Sequence, residues 1–174
     1  MEHLWTPWRM AYLRGEHPSP ERCIFCEKIT AQDDAAEHVL ARGRHVFVVL
    51  NRYPYNNGHL MVVPYAHVSS LEDLDSETRA EVMEMVVRSL RALRAAYAPD
   101  GFNMGANIGQ VAGAGVADHV HLHIVPRWSG DTNYMPIIGQ TRVIPELLDE
   151  TYRRLKAVWD QGVGTDDRGS ASTP

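Results

Sequence analysis

The chain has 174 residues, enough for one compact domain with a substantial core and too few for two ordinary ones. Hydrophobic residues make up 44% and charged residues 22%, which excludes a disordered or fibrous chain. A formal net charge of -5 gives a field that repels polyanions, so nucleic acid is not an expected partner and any phosphate must be captured locally.

Residues 1 to 20 carry Trp5, Trp8 and Tyr12 among prolines and arginines, the composition of an irregular arm packed across a domain surface. The domain proper is expected over residues 21 to 160. No apolar run is long enough to span a bilayer, and the N-terminus lacks the order of a signal peptide, so no membrane contact and a cytoplasmic location are expected. In a reducing compartment Cys23 and Cys26, two residues apart, point to metal or redox chemistry before a structural disulfide. Their spacing alone does not choose between the two.

HVFVVL at residues 45 to 50 is rich in β-branched residues, and the turn chemistry of residues 51 to 58 separates it from a second such run at 59 to 64. The pair reads as a hairpin with a long loop. Val82, Met85, Val86, Leu90, Leu93 and Tyr97 recur at three- and four-residue steps, which predicts a helix over 76 to 98, ended by Pro99, Asp100 and Gly101. Two further strands follow at 102 to 108 and 119 to 126. The stretch between them, GQVAGAGVAD, is rich in small residues that let a backbone approach a ligand. Pro145 suits a first helical position, and Leu147, Leu148, Tyr152, Leu155 and Trp159 continue a helical pattern. Residues 161 to 174 are polar and turn-rich, the composition of a disordered tail.

HVHLHIVPRW at residues 119 to 128 carries the chemistry. On a strand, a period of two puts His119, His121, His123 and Val125 on one face, with Val120, Leu122 and Ile124 buried against the helix of 76 to 98. A single histidine is more often a hydrogen-bonded structural residue, but three on one face of one strand call for chemistry. Two readings stand side by side. The three imidazoles can bind one metal, as in a zinc hydrolase, or the middle one can act as a nucleophile with its other ring nitrogen held by a hydrogen bond.

This stretch resembles the signature of the histidine-triad family, and Pro126, Arg127 and Trp128 resemble its bacterial members. NRYPYNNGHLMVVPYAH at 51 to 67 resembles the family's upstream hairpin, and LWTPWRMAYL at 4 to 13 resembles a bacterial diadenosine tetraphosphate phosphorylase or hydrolase branch. The likeness covers roughly residues 4 to 160, and several ordered motifs are more specific than one. It implies an α+β fold with a mainly antiparallel sheet, a long helix across one face, a C-terminal helix and a homodimer. It also implies cleavage of dinucleoside polyphosphates, phosphorolysis being favoured, through a nucleotidyl intermediate on His121. A nucleotide-binding regulatory protein without turnover is the alternative from another class.

By the same resemblance the His119 carbonyl holds His121, His123 contacts phosphoryl and leaving-group oxygens, and His59 supports the triad from the hairpin, by positioning or by direct catalysis. Asn51 corresponds to a ribose contact and Asn107 to one near the phosphate, although asparagine beside a turn is commonly turn chemistry. Gly113 and Gly115 are candidates to turn backbone N–H groups toward phosphate. The chain departs from the family in having Gly115 and Val116 where many relatives have a serine, which removes side-chain help at that point. Cys23 and Cys26 with His67 and His119 correspond to a structural zinc site, a set that leaves His121 and His123 for catalysis. Two reduced cysteines without metal are the other possibility.

Overall fold

The computed structural model describes residues 23–131 and 146–163. The expected arm over 1 to 20, Pro145 and the tail beyond residue 163 lie outside these residues. The fold is α+β. Helix α1 (Ile24–Thr30) precedes strands β1 (Val39–Arg42), β2 (Val46–Leu50) and β3 (Leu60–Pro64). Helix α2 (Ser76–Tyr97), strand β4 (Gly101–Gly105), strand β5 (Leu122–Arg127) and helix α3 (Leu148–Asp160) follow. One five-stranded sheet runs β1-β2-β3-β5-β4 with every neighbouring pair antiparallel.

Both faces of the sheet are covered, and the two-residue period of the strands sorts side chains between them. Val46, Val48 and Leu50 of β2, Leu60 and Val62 of β3 and Ile124 of β5 pack with Val82, Val86 and Leu93 of α2 and with Leu155 and Trp159 of α3. Phe47, Val49, Met61 and Val63 face the other way and pack with Phe25 of α1. That second face carries the histidines, because His123 pairs with Met61.

Helix α2 starts where Asp75 accepts the Thr78 N–H at 2.7 Å and ends at Ala98, whose φ of 46° is left-handed ahead of Pro99. Helix α1 has only seven residues and no side-chain N-cap. It is held instead by buried Phe25 and by Arg42 of β1, whose guanidinium donates to the carbonyls of Lys28 and Ile29 at 2.8 and 3.2 Å, opposite the partial charge of the helix C-terminus.

Three expectations are adjusted. The strand expected over 102 to 108 stops at Gly105, after which a 3₁₀ turn (Gln110–Ala112) leads the chain through the small-residue stretch. The strand expected from residue 119 starts at Leu122, because the Val120 N–H donates to the Val68 carbonyl at 2.7 Å instead of joining the ladder. The last helix starts at Leu148, with Leu147 as its N-cap. Helix α1 and strand β1 have no counterpart in the apolar periodicity, α1 because it is two turns long and β1 because four residues carry too few repeats of a period.

Candidate active site

The β2–β3 loop brings His59 into the site. Gly58 has φ +73°, and a Cβ there would lie 2.9 Å from Leu93 Cδ2, so the return of the chain into β3 requires glycine. His59 follows with 0% of its surface exposed. Its Nδ1 lies 3.1 Å from the Tyr55 backbone N–H, which can only donate, so Nδ1 is an acceptor and bears no proton. The neutral ring then carries its proton on Nε2, 3.0 Å from His123 Nδ1, which accepts it. His123 is left with its own proton on Nε2.

His121 has the opposite tautomer. Its Nδ1–H donates to the His119 carbonyl at 2.9 Å, leaving Nε2 with a lone pair. The His121 and His123 rings lie edge to face, centroids 4.8 Å apart. Burial lowers the pKa of both, that of His123 to about 4, with the neighbouring His121 adding to the shift. A bare nitrogen and an N–H donor thus stand side by side on two neutral imidazoles.

The side chain of His119 turns away from this pair. Its Nε2–H donates to the Pro64 carbonyl at 2.9 Å, and its Nδ1 lies 3.3 Å from Cys23 Sγ and 3.7 Å from Cys26 Sγ. His67 Nδ1 lies 3.3 Å from Cys26 Sγ, brought there by the tie between Val68 and Val120. Cys23, Cys26, His67 and His119 could hold a metal ion, their ligand atoms all lying within 4.8 Å of one another. Both ring nitrogens of His119 are committed, so it has no lone pair to share with His121 and His123. The three motif histidines therefore do not converge on one volume as an alternating strand predicts, since the ladder begins only after the first two.

Asn51 Nδ2 is 3.3 Å from His59 Nδ1, to which it donates, and Asn51 Oδ1 accepts the Tyr53 N–H at 2.9 Å, so this amide is used within the loop. Asn107 Nδ2 donates to the Gly113 carbonyl at 3.4 Å. Gly113 has φ +86°, and Gly115 is exposed beside it. Two participants carry no motif. Phe25 packs on both His119 and His121, with centroids 5.4 and 4.8 Å away, and Tyr55 contributes its main-chain N–H. Backbone donors leave no trace in residue type. Phe25 is marked only by lying between the two cysteines.

This sheet, with its histidine pair and its cysteine–histidine cluster, defines a histidine-triad class of protein. A family model described as HIT domain matches residues 32–130, and the chain belongs to that family. More particularly, it is 45% identical over 165 residues to the AP-4-A phosphorylase of Mycobacterium tuberculosis, a match covering 91% of this chain and 85% of that one. Among solved structures it is similar to a Zn-bound histidine triad family protein from Mycobacterium smegmatis, at 28% identity and a TM-score of 0.65, covering 80% and 94% of the two chains. The fold is also that of a histidine triad nucleotide-binding protein from Sulfolobus tokodaii, at 24% identity and a TM-score of 0.67, covering 84% and 100%.

Proposed function

We propose that the chain is an enzyme that cleaves dinucleoside polyphosphates, diadenosine tetraphosphate foremost, through a nucleotidyl intermediate on His121. One observation carries the reading: the His121 Nδ1–H is committed to the His119 carbonyl, and burial keeps the ring neutral, so the Nε2 lone pair attacks without a separate base. The Nε2–P bond forms at the α-phosphate, the bridging P–O bond to the β-phosphate breaks, and ATP leaves. The imidazolium charge this creates is met by the carbonyl on Nδ1–H. His123 supplies its Nε2–H to oxygens that gain charge in the transition state, and His59 keeps that proton in place. Asn51 and Asn107 are substrate contacts through the amide capacity that their loop partners leave over, since an amide offers two donors and two acceptor lone pairs, with Gly113 and Gly115 offering backbone N–H groups to phosphate.

Inorganic phosphate then attacks phosphorus, the N–P bond breaks and ADP leaves. Phosphorolysis rather than hydrolysis is supported by the likeness to the M. tuberculosis enzyme and by open space at Gly109 and Gly113, where a Cβ would meet nothing within 4 Å and a second anion has room. Product analysis tests this. ATP and ADP are expected with phosphate present, and AMP formed without ADP at any phosphate concentration would reject phosphorolysis. His121→Ala is expected to lose the adenylylated histidine in mass spectra and to slow turnover by about two orders of magnitude or more. Near-normal turnover in that variant would reject the nucleophile.

The metal in this reading is a structural zinc ion on Cys23, Cys26, His67 and His119. Tetrahedral zinc with its usual bond lengths places sulfur and nitrogen ligands about 3.6 Å apart, close to the 3.3 to 3.7 Å between these atoms. Burial and the adjacent Cys23 push the Cys26 thiol up, so Cys26 resists ionising until a cation is supplied. When bound, zinc ties α1 to the chain around His119. A homodimer in the cytoplasm completes the proposal. Strand β4 is an edge of the sheet, and Met104 on it and Ile108 just beyond its end are 47% and 43% exposed, so a second copy would cover them. Light scattering is expected to give twice the chain mass. Among the described residues no helix is long and apolar enough to cross a membrane.

A further inference from the structure

The loop that holds Tyr55 is pinned through Asn56 to the far end of β5. Asn56 Nδ2 donates to the Pro126 carbonyl at 3.0 Å and to Asp131 Oδ2 at 2.9 Å. Asp131 is itself fixed by Arg127, whose Nε and Nη2 donate to its two oxygens at 2.6 and 2.7 Å, and by the Trp128 backbone N–H at 3.2 Å. Its side chain is 11% exposed. The Arg127 guanidinium is braced in turn on Asn103 Oδ1 of β4 at 2.7 Å. A carboxylate accepting from a guanidinium and a main-chain N–H is a stiff anchor. Asn56, the loop residue it receives, follows Tyr55 in the chain.

The consequence reaches the histidines through hydrogen-bond polarity. The tautomer of His59 is set by two donors at its Nδ1, the Asn51 Nδ2 at 3.3 Å and, closer at 3.1 Å, the Tyr55 N–H, one peptide away from Asn56. The Asn56 carbonyl also accepts the His59 N–H at 3.2 Å, closing the loop on itself. Should the loop drift by about 1 Å, the contact would pass beyond hydrogen-bond range. Only the longer Asn51 contact would then oppose moving the His59 proton to Nδ1, and in that tautomer His123 would lose the partner that keeps its own proton on Nε2.

We propose that Asp131 and Asn56 are positioning residues that fix the tautomers of His59 and His123 by locking the Tyr55 N–H onto His59 Nδ1. Neither residue touches an imidazole, and both act through the loop main chain. The effect on turnover rests on the donor role given to His123 above, whereas the effect on the rings does not.

The test labels histidine with ¹⁵N in the full chain and reads which ring nitrogens carry protons in the wild type, Asn56→Ala and Asp131→Asn. In the wild type, His59 and His123 are expected as single Nε2–H forms. In both variants their signals are expected to average between tautomers, while His121 keeps its Nδ1–H form. Turnover should fall about tenfold with KM within about twofold, as for a misplaced transition-state donor. Leu155→Ala, a core change away from the loop, controls for lost stability and is expected to leave the ring signals unaltered. Wild-type ring signals in both loop variants, or the same averaging in Leu155→Ala, would overturn the proposal. Averaged signals with unchanged turnover would uphold the clamp and overturn the donor role of His123, so the two failures are told apart.

Discussion

At the scale of single residues, the candidate site gives two adjacent imidazoles opposite tautomers. The His119 carbonyl can only accept, which leaves His121 Nε2 bare, and the Tyr55 N–H can only donate, which puts the His59 proton on Nε2 and makes His123 Nδ1 its acceptor. Burial then keeps both rings neutral, and this has a pH signature. His123 takes its proton at about 4 in the fold against 6.5 for an ordinary histidine. Between those values the unfolded chain binds a proton that the native state refuses, so stability is complete above pH 6.5 and is lost as pH falls toward 4. Thermal unfolding at pH 7.5, 5.5 and 4.5 is expected to show a falling Tm. His123→Asn should flatten the slope, with His121 and His59 still facing the position. An identical slope in the variant would assign the loss elsewhere. The histidines themselves were legible from HVHLH, but the tautomers were not, because they depend on polar groups brought in from the hairpin loop.

At the scale of elements, the hairpin β2–β3 and its loop do most of the positioning. The loop begins at Asn51, anchors through Asn56 and re-enters the sheet at Gly58, where a left-handed φ of +73° delivers His59 to its buried place. Gly58→Ala forces a Cβ into that conformation and toward Leu93. It is expected to cost about 1–2 kcal/mol, or roughly 2–8 °C in Tm. A Tm within about 1 °C of wild type would show that the loop relaxes without strain. The hairpin and the long helix α2 were readable because each repeats its period several times over. The start of β5 was not, since a strand pattern continues through His119 to His121 while Val120 gives its N–H to Val68.

At the scale of the whole molecule, the cysteine–histidine cluster joins parts of the chain that are far apart in sequence. Cys23 and His119 are 96 positions apart, and helix α1, which starts after Cys23 and contains Cys26, puts Phe25 against both His119 and His121. A metal that closes so long a loop restricts the unfolded chain and stiffens the segment whose carbonyl holds His121. Elemental analysis of gently purified protein is expected to find about one zinc per chain, and Cys23→Ser should lower both metal content and Tm. A metal-free wild type of unchanged stability and activity would reject the zinc assignment.

The sequence by itself determined the class of protein, the central hairpin and helix α2, and it singled out the candidate histidines and cysteines, because period and motif are local properties of a chain. It left open whether HVHLH gathers three imidazoles around one ion or divides them between two tasks. Only the tertiary structure separates the side chain of His119 from those of His121 and His123. It spends both ring nitrogens of His119 on Pro64 and the thiols while using its carbonyl on His121, and it sets His123 against His59. The physical reason is directional: a hydrogen bond fixes which ring nitrogen is protonated, and its partner here comes from another strand, a loop main chain or a distant helix. No spacing along one segment encodes those partners.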